Sequence, residues 1–356
     1  MHVYQNTTSL HSIQVTPVFD SYWRFAAERQ NVFRQRLNGQ PAPWTTDPVM
    51  ATNKFTNAYR ASDRVSQFLI RHVIYRSDLP DSPLEVFFRI LLFKIFNKIE
   101  TWRLLEHTFG EITYKNYKFE HYDKVLSQAM SAGGRIYSAA YIMPPSGSVF
   151  GYPAKHQNHL RLLESMMNDG LANQLSLQNN MQGAFELLKS YPSIGNFLAY
   201  QFVTDINYSE ITNFSEMDFV MPGPGALDGL RKCFGDQANR SESKLIRMMA
   251  ENQELEFERL GINFQSLWGR RLQLIDCQNL FCEVDKYARV AHPEVAGISG
   301  RTRIKQKFSP TGPLERPWYP PKWGINSKIE ADLGVLPAFE TLKNGLPAQS
   351  KLNLGN

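Results

Sequence analysis

Apolar residues along this chain recur at intervals of three and four and seldom alternate. The run from 84 to 109 shows this most fully: Leu84, Phe87, Phe88, Leu91, Leu92, Ile95, Phe96, Ile99 and Trp102 fall on one broad stripe. That spacing predicts a helix buried over much of its circumference. Ser82 and Pro83 just ahead of it are start signals, because proline's fixed φ suits a first helical turn. The same periodicity predicts helices over 20–37, 61–75, 122–132, 157–169, 181–190, 195–204, 226–234, 241–260 and 276–290. No alternating run is long enough to promise a sheet. The predicted fold class is all-α.

Helix breakers cluster at 143–151 ("MPPSGSVFG"), at 222–225 ("PGPG") and through the C-terminal part. The first cluster predicts a boundary between a helical subdomain at 1–145 and a second at 146–290, packed as one globule. Residues 291–356 then form an irregular arm, basic and rich in Pro and Trp. Within it, "SGRTRIKQKF" sets Arg301, Arg303, Lys305 and Lys307 on alternate positions, ahead of "ERPWYPPKW". On extended chain these cations share one face, spaced to follow a phosphate backbone. A solvated edge strand wrapped on the body has the same pattern.

Composition narrows the classes. At 356 residues with 42% hydrophobic content the chain can bury a sizeable core. A net charge of +5 permits an acidic partner such as nucleic acid without demanding one. Cys233, Cys277 and Cys282 make no disulfide framework and read as buried thiols in a reducing cytoplasm. The N-terminus lacks a signal-peptide layout, and the most apolar stretch, "VFFRILLFKIFNKI", is interrupted by Arg89, Lys94 and Lys98. A cytoplasmic protein without membrane attachment is expected, and no obligate protein partner is evident. No GxxxxGK[ST], GxGxxG or GxSxG occurs, so a P-loop kinase is not expected. His156 and His159 stand three apart without further ligands at metal spacing, so neither a metal nor an organic cofactor is implied.

The stretch "SYPSIGNFLAYQFV" at 190–203 reads as helix, tight turn, helix. It is a corner before a buried helix, or a phosphate grip, since a helix N-terminus presents unpaired N–H groups and glycine admits a bulky anion. It resembles the helix-hairpin-helix of the DNA-repair glycosylase superfamily, whose hairpin reads Leu-Pro-Gly-(Val/Ile)-Gly-x-Lys-Thr-Ala. Pro192, Ile194, Gly195 and Ala199 match, whereas Ser193 replaces the first glycine, Leu198 the threonine, and Phe197 the lysine of bifunctional members. The resemblance implies that Ser193, Ile194 and Gly195 contact DNA. It also implies a catalytic aspartate a little under twenty residues on, and Asp218 follows Ala199 by nineteen. Four Pro/Gly residues stand between it and the next helix, which departs from the pattern.

A wider resemblance covers about residues 18–325. "TNKFTNAYRASDRVSQFLIRHVIY", "LLFKIFNKIETW", "DFVMPGPGALDGLRKCF" and "DCQNLFCEVDKYARV" look like a phage and bacterial family. It includes the helical domain attached to 5-hydroxymethyluracil DNA kinases and alpha-glutamyl/putrescinyl-thymine pyrophosphorylases. Some stand-alone relatives excise hypermodified bases from phage DNA. The resemblance implies a helix-hairpin-helix, glycosylase-like fold and a double-stranded DNA substrate with modified bases.

Other residues compete for a functional role. Asp276, as the cap of the 276–290 helix, and Asp285, in "VDKYARV", are alternates to Asp218. On that helix Asp276, Asn279 and Glu283 share one face, and Gln278, Cys282 and Asp285 another. These acids and amides would line a base pocket or form an internal network. Arg60, Asp63, Arg64 and Gln67, on adjacent turns of one predicted helix, would wall that pocket, clamp phosphate, or pair internally. Tyr137 and Tyr141 would stack on a base or pack in the core. The expectation is a monofunctional DNA glycosylase that flips and excises a hydroxymethylated or glucosylated pyrimidine, with water in place of a lysine nucleophile. The alternatives are a base-hypermodifying transferase acting on activated hydroxymethyluracil, or a non-catalytic DNA-binding module.

Overall fold

A computed structural model describes residues 2–4, 13–141, 143–145, 147–309, 312 and 314–334, and every structural statement concerns these. The expected boundary at 143–151 and the end of the expected arm lie partly outside them. Short strands β1 (His2–Tyr4) and β2 (Ile13–Val15) pair antiparallel; three residues are too few to show alternation. The rest is helical: α1 (Pro17–Leu37), α2 (Pro48–Thr52), α3 (Arg64–Leu69), α4 (Pro83–Phe96), α5 (Ile99–Phe109) and α6 (Phe119–Ser131). After α7 (Gly147–Phe150) come α8 (Lys155–Asn168), α9 (Leu171–Ser176), α10 (Met181–Lys189), α11 (Asn196–Ile206) and α12 (Pro224–Phe234). The series ends with α13 (Glu242–Glu251), α14 (Gln253–Arg259), α15 (Leu274–Ala291) and α16 (Asn326–Leu333).

Helix α4 is the hub. Phe87, Phe88, Ile90, Leu91 and Leu92 are wholly buried, each worth roughly 1.5–3 kcal/mol of apolar transfer. It packs on α8, α9 and α11, so the N-terminal and hairpin helices share one core running from Val15 to Ile329. The predicted helix 84–109 is in fact two. Asn97 takes a left-handed backbone (φ 47°) that ends α4, and Lys98 is extended before α5. Leu84, placed on the stripe by spacing, is exposed.

The predicted helix 61–75 also breaks, into a 3-10 turn at Arg60–Ser62, then α3, then a π-helical turn at Ile70–Ile74. Asp63 is extended and interrupts the run. Arg60 and Arg64 therefore do not share a helix face: Arg60 points inward and Arg64 outward. Asn252 divides the predicted 241–260 helix into α13 and α14.

Helices α12 and α15 meet at their tightest point at Gly229, where an added Cβ would lie 2.1 Å from the Phe281 carbonyl oxygen. Backbone cannot yield as a flexible side chain does. Gly229→Ala is expected to destabilise the fold by about 1–3 kcal/mol, read as a lower urea midpoint; an unchanged midpoint would mean that the two helices part easily.

Candidate functional site

Four segments far apart in sequence converge on one buried carboxylate. Asp205, near the end of α11, accepts a bidentate pair from Arg60, at 2.7 Å to Oδ1 and 3.0 Å to Oδ2. Lys94 of α4 donates to the same Oδ2 at 2.7 Å. Arg60 also donates to Gln201 at 3.1 Å and to the Tyr208 hydroxyl at 2.9 Å, and Lys94 donates to Asn97 at 2.9 Å. The left-handed turn at Asn97 thus both ends α4 and presents an acceptor. Tyr141, left-handed itself (φ 55°), lays its ring over the Lys94 ammonium at 4.9 Å and stacks on Phe197 of α11.

Two cations contact this one carboxylate. Arg60, Lys94 and Asp205 are all at least 97% buried. Burial alone would raise the Asp205 carboxyl, but Arg60 and Lys94 hold it below its ordinary value. Burial would likewise lower Arg60, and Asp205 raises it well above. Burial does push Lys94 down, with Asp205 opposing and Arg60 adding to the fall. The donor inventory leaves one N–H on Arg60 Nη2 and one on Lys94 uncommitted, and both nitrogens already meet at the same oxygen.

A second carboxylate group adjoins this one. Asp63 Oδ1 accepts from the Asn57 amide at 2.8 Å, and burial raises its carboxyl to about 7, with Glu283 adding to the rise. Asp276 was expected to cap α15. Instead Gln273 takes that place and Asp276 sits in the first turn, accepting from the amides of Gln273 (3.0 Å) and Arg60 (2.8 Å). Burial raises it too to about 7 against those two bonds. Glu283 accepts from the Thr56 amide at 3.0 Å and pairs with Lys286 at 2.7 Å. Gln278 is buried 3.5 Å from Gln201 and from Cys282, while Asn279 is half-buried. The structure therefore links Arg60, Asp276 and, through Gln201, Gln278, with Asp63 and Glu283 beside them on the chain segment 56–63 and α15.

Other expected residues lie elsewhere. Asp218 is exposed; its Oδ2 accepts from the Met181 amide at 2.9 Å, at the start of α10. Asp285 is buried between Lys232, at 3.0 Å, and Arg289. Arg64 is exposed, 3.9 Å from Glu100. The Tyr137 hydroxyl bonds His159 Nδ1 at 2.8 Å, and His156 bonds Asp123 at 2.7 Å, so each histidine has its own interior partner. Spacing missed Lys94, Asp205, Gln201 and Tyr208. Their signal was a charge or amide inside an otherwise apolar helix, as in "LLFKIFN" and "YQFVTDI".

Residues 190–195 form a turn between α10 and α11. Ser193 adopts φ 65°, a left-handed state that glycine would take at less cost, and Ile194 is buried as an anchor. Gly195 caps α11 at φ −81°, open to any residue, and nothing lies within 4 Å of where its Cβ would stand. Neither backbone strain nor crowding within the protein demands glycine there. The amides of Gly195 and Asn196 have no hydrogen-bond partner among the described residues. In the arm, Arg301, Arg303, Lys305 and Lys307 are all exposed. The arm is held along the chain after α2: Lys54 bonds Gln306 at 3.0 Å, Phe308 bonds Thr52 at 3.1 Å, and Lys307 reaches Asn53 at 3.1 Å.

Residues 16–297 match the family described as "5-hmdU DNA kinase, helical domain". The chain belongs to this family. It is also 27% identical over 286 residues to a 5-hmdU DNA kinase of Bacillus phage SP10, covering 76% of this chain and 45% of that protein. The chain thus spans about half the length of the curated relative it matches. No solved structure matches. Membership in a kinase-associated family corrects the enzyme class expected from the hairpin: the relative is named for a transferase, not a hydrolytic N-glycosylase. The assignment of Asp218, Asp276 or Asp285 to base excision goes with it. Among the described residues no helix is long and apolar enough to cross a membrane.

Two expectations follow for this helical domain. Asp63 and Asp276 each bind a proton more tightly in the folded chain than in the unfolded one, whose aspartates titrate near roughly 4. Their contribution is fully present below that value and lost as pH rises to about 7. Unfolding free energy should decline across that window, and Asp276→Asn should flatten the decline; an unaltered slope in chemical denaturation would contradict it. At the hairpin, Gly195→Val should leave the melting temperature unchanged and lower DNA affinity at least tenfold. Unaltered affinity would return the turn to a plain corner.

Proposed function

We propose that this chain recognises double-stranded DNA carrying hydroxymethylated pyrimidines and takes part in their further modification, by group transfer at a hydroxymethyl group activated as its phosphate ester. In that transfer an amine nitrogen bonds to the methylene carbon of the phosphate ester while its C–O bond breaks, phosphate leaves and the amine gives up a proton. One observation carries the reading: two buried cations share a single carboxylate. Two cations held side by side away from water are costly to keep, and a phosphate beside them would offset their repulsion. The two uncommitted N–H groups at Asp205 Oδ2 supply donors of the kind that recognise a phosphoryl oxygen. Tyr141 and Phe197 offer stacked aromatic faces beside them. The hairpin amides and the arm cations suit the DNA backbone, which fixes register without reading sequence.

Anion binding would raise the depressed Lys94 ammonium back toward its ordinary value. Binding is then linked to proton uptake, and affinity should fall as pH rises through the range in which Lys94 deprotonates. A second reading, a non-catalytic module serving a partner enzyme, is favoured by the missing GxxxxGK[ST] loop in this stretch. Both readings predict DNA binding, and only the first predicts a changed base.

The test uses duplexes containing thymine, 5-hydroxymethyluracil or its phosphomonoester, with amine donors present, read by anisotropy and by mass spectrometry of the digested nucleosides. The phosphorylated duplex should bind at least tenfold more tightly than the others. Lys94→Met should erase that preference yet fold well, because it leaves Arg60 and Asp205 as a balanced pair. Equal affinity for all three duplexes would overturn the reading. A preference without any change of base mass would favour the non-catalytic module.

A further inference from the structure

A cavity lies apart from the Arg60 network and shares no residue with it. It has a volume of about 630 Å³ and is walled by α1, α2, residues 262–265 and Tyr287 of α15. Gln30 of α1 lines it and is 1% exposed. Both its Oε1 and its Nε2 are buried with no hydrogen-bond partner. A carboxamide can accept two hydrogen bonds and donate two, and buried amides in native proteins are nearly always paired. Leaving both ends of one unpaired is an unfavourable choice for a residue whose only duty is to fill space, where leucine would serve.

The remaining lining suits a flat, hydrogen-bonding ring. Phe25, Met50 and Tyr287 give an apolar and aromatic wall, with the two rings 5.4 Å apart and tilted. The Tyr287 hydroxyl is already committed to Asp47 at 2.7 Å, so it adds surface rather than a free donor. Asn263 and Gln265 bring further amides at exposed positions. Ser21, Arg24, Glu28 and Asn31 make the rest of the α1 wall polar, and cavities of several hundred cubic ångströms in which placed polar groups fix orientation are the usual form of small-molecule sites. An adjacent donor and acceptor on one side chain match a base edge bidentately, as glutamine does with adenine.

The surroundings point the same way. Met50 lies on α2, and the chain leaving α2 is the segment that holds the basic arm, through Thr52, Asn53 and Lys54. The exposed cations Arg301, Arg303 and Lys305 make no ion pair among the described residues. A strand following those cations would pass beside the element that walls the cavity.

We propose that this cavity receives a nucleobase, read along one edge by the Gln30 carboxamide against the Phe25 and Tyr287 rings. The base is either that of a free nucleoside or one carried on a strand held by the arm. The test titrates the full chain with the four deoxynucleosides, by saturation-transfer NMR, and with a mixed-sequence single-stranded oligonucleotide, by anisotropy. Gln30→Leu should keep or raise the melting temperature, since it removes an unpaired amide, and weaken binding at least tenfold. Gln265→Trp, at the exposed rim, should block the cavity without touching the core, and so gives a second reading should Gln30→Leu fold poorly. A triple alanine variant of Arg301, Arg303 and Lys305 separates the sources. Loss of oligonucleotide binding alone, with nucleoside signals retained, assigns the site to free nucleosides as well. Gln30-dependent oligonucleotide binding without nucleoside signals assigns it to a base on the strand. Wild-type binding of both ligands by Gln30→Leu and Gln265→Trp, or no binding of either ligand by the native chain, would overturn the proposal.

Discussion

The bidentate bond between Arg60 and Asp205 is the constraint on which the interior depends. It ties a 3-10 turn near the N-terminal helices to the last turn of α11, the helix that begins at the hairpin. Tyr208 and Gln201 are fixed by the same guanidinium, and Lys94 by the same carboxylate. Arginine suits the place because its planar fork meets both carboxylate oxygens at once, which a lysine cannot do. With Lys94 of α4 on the same carboxylate, α4 and α11 cannot slide past each other without stranding a charge in a dry interior. The hairpin is thereby held at a fixed distance from the core.

That arrangement separates two kinds of chemistry. The outer features, the open glycine at the hairpin and the alternate cations of the arm, are exposed and suited to a polyanion of any sequence. The inner features are shielded from water, where each charge acts strongly and each unpaired amide is costly. Lys94 and Gln30 belong to this inner set for different reasons. Lys94 is the second cation on one carboxylate, and Gln30 is an amide with no partner. Both are departures from a well-satisfied core, and such departures gather where a ligand is to be met.

The hairpin resemblance misdirected the enzyme class for a physical reason. A tight turn with a capping glycine grips phosphate whatever reaction follows, so it carries information about a backbone contact and none about chemistry. The aspartate it pointed to, Asp218, is occupied at the start of α10. The wider likeness, spread over many helices, carried the family correctly, and the match across residues 16–297 agrees with it. Ser193 shows how a departure from a motif is absorbed: the backbone takes a left-handed turn without a glycine there.

By itself the sequence determined that the chain is helical, where most helices lie, and that the turn at 192–195 is tight. Apolar spacing and turn residues act locally, and the local signal is strong. Sequence also marked charged residues in apolar helices as anomalous, without saying why they were tolerated. Tertiary structure alone decided their partners. Arg60 and Asp205 lie 145 positions apart, and no periodicity links such a pair. It also decided that helix 61–75 breaks at Asp63 and helix 84–109 at Asn97. At Asp63 the carboxylate accepts from the Asn57 amide, and at Asn97 the side chain accepts from Lys94, whose ammonium also meets Asp205 of α11. Such bonds outweigh the small cost of interrupting a helix, which is why propensity could not foresee the breaks.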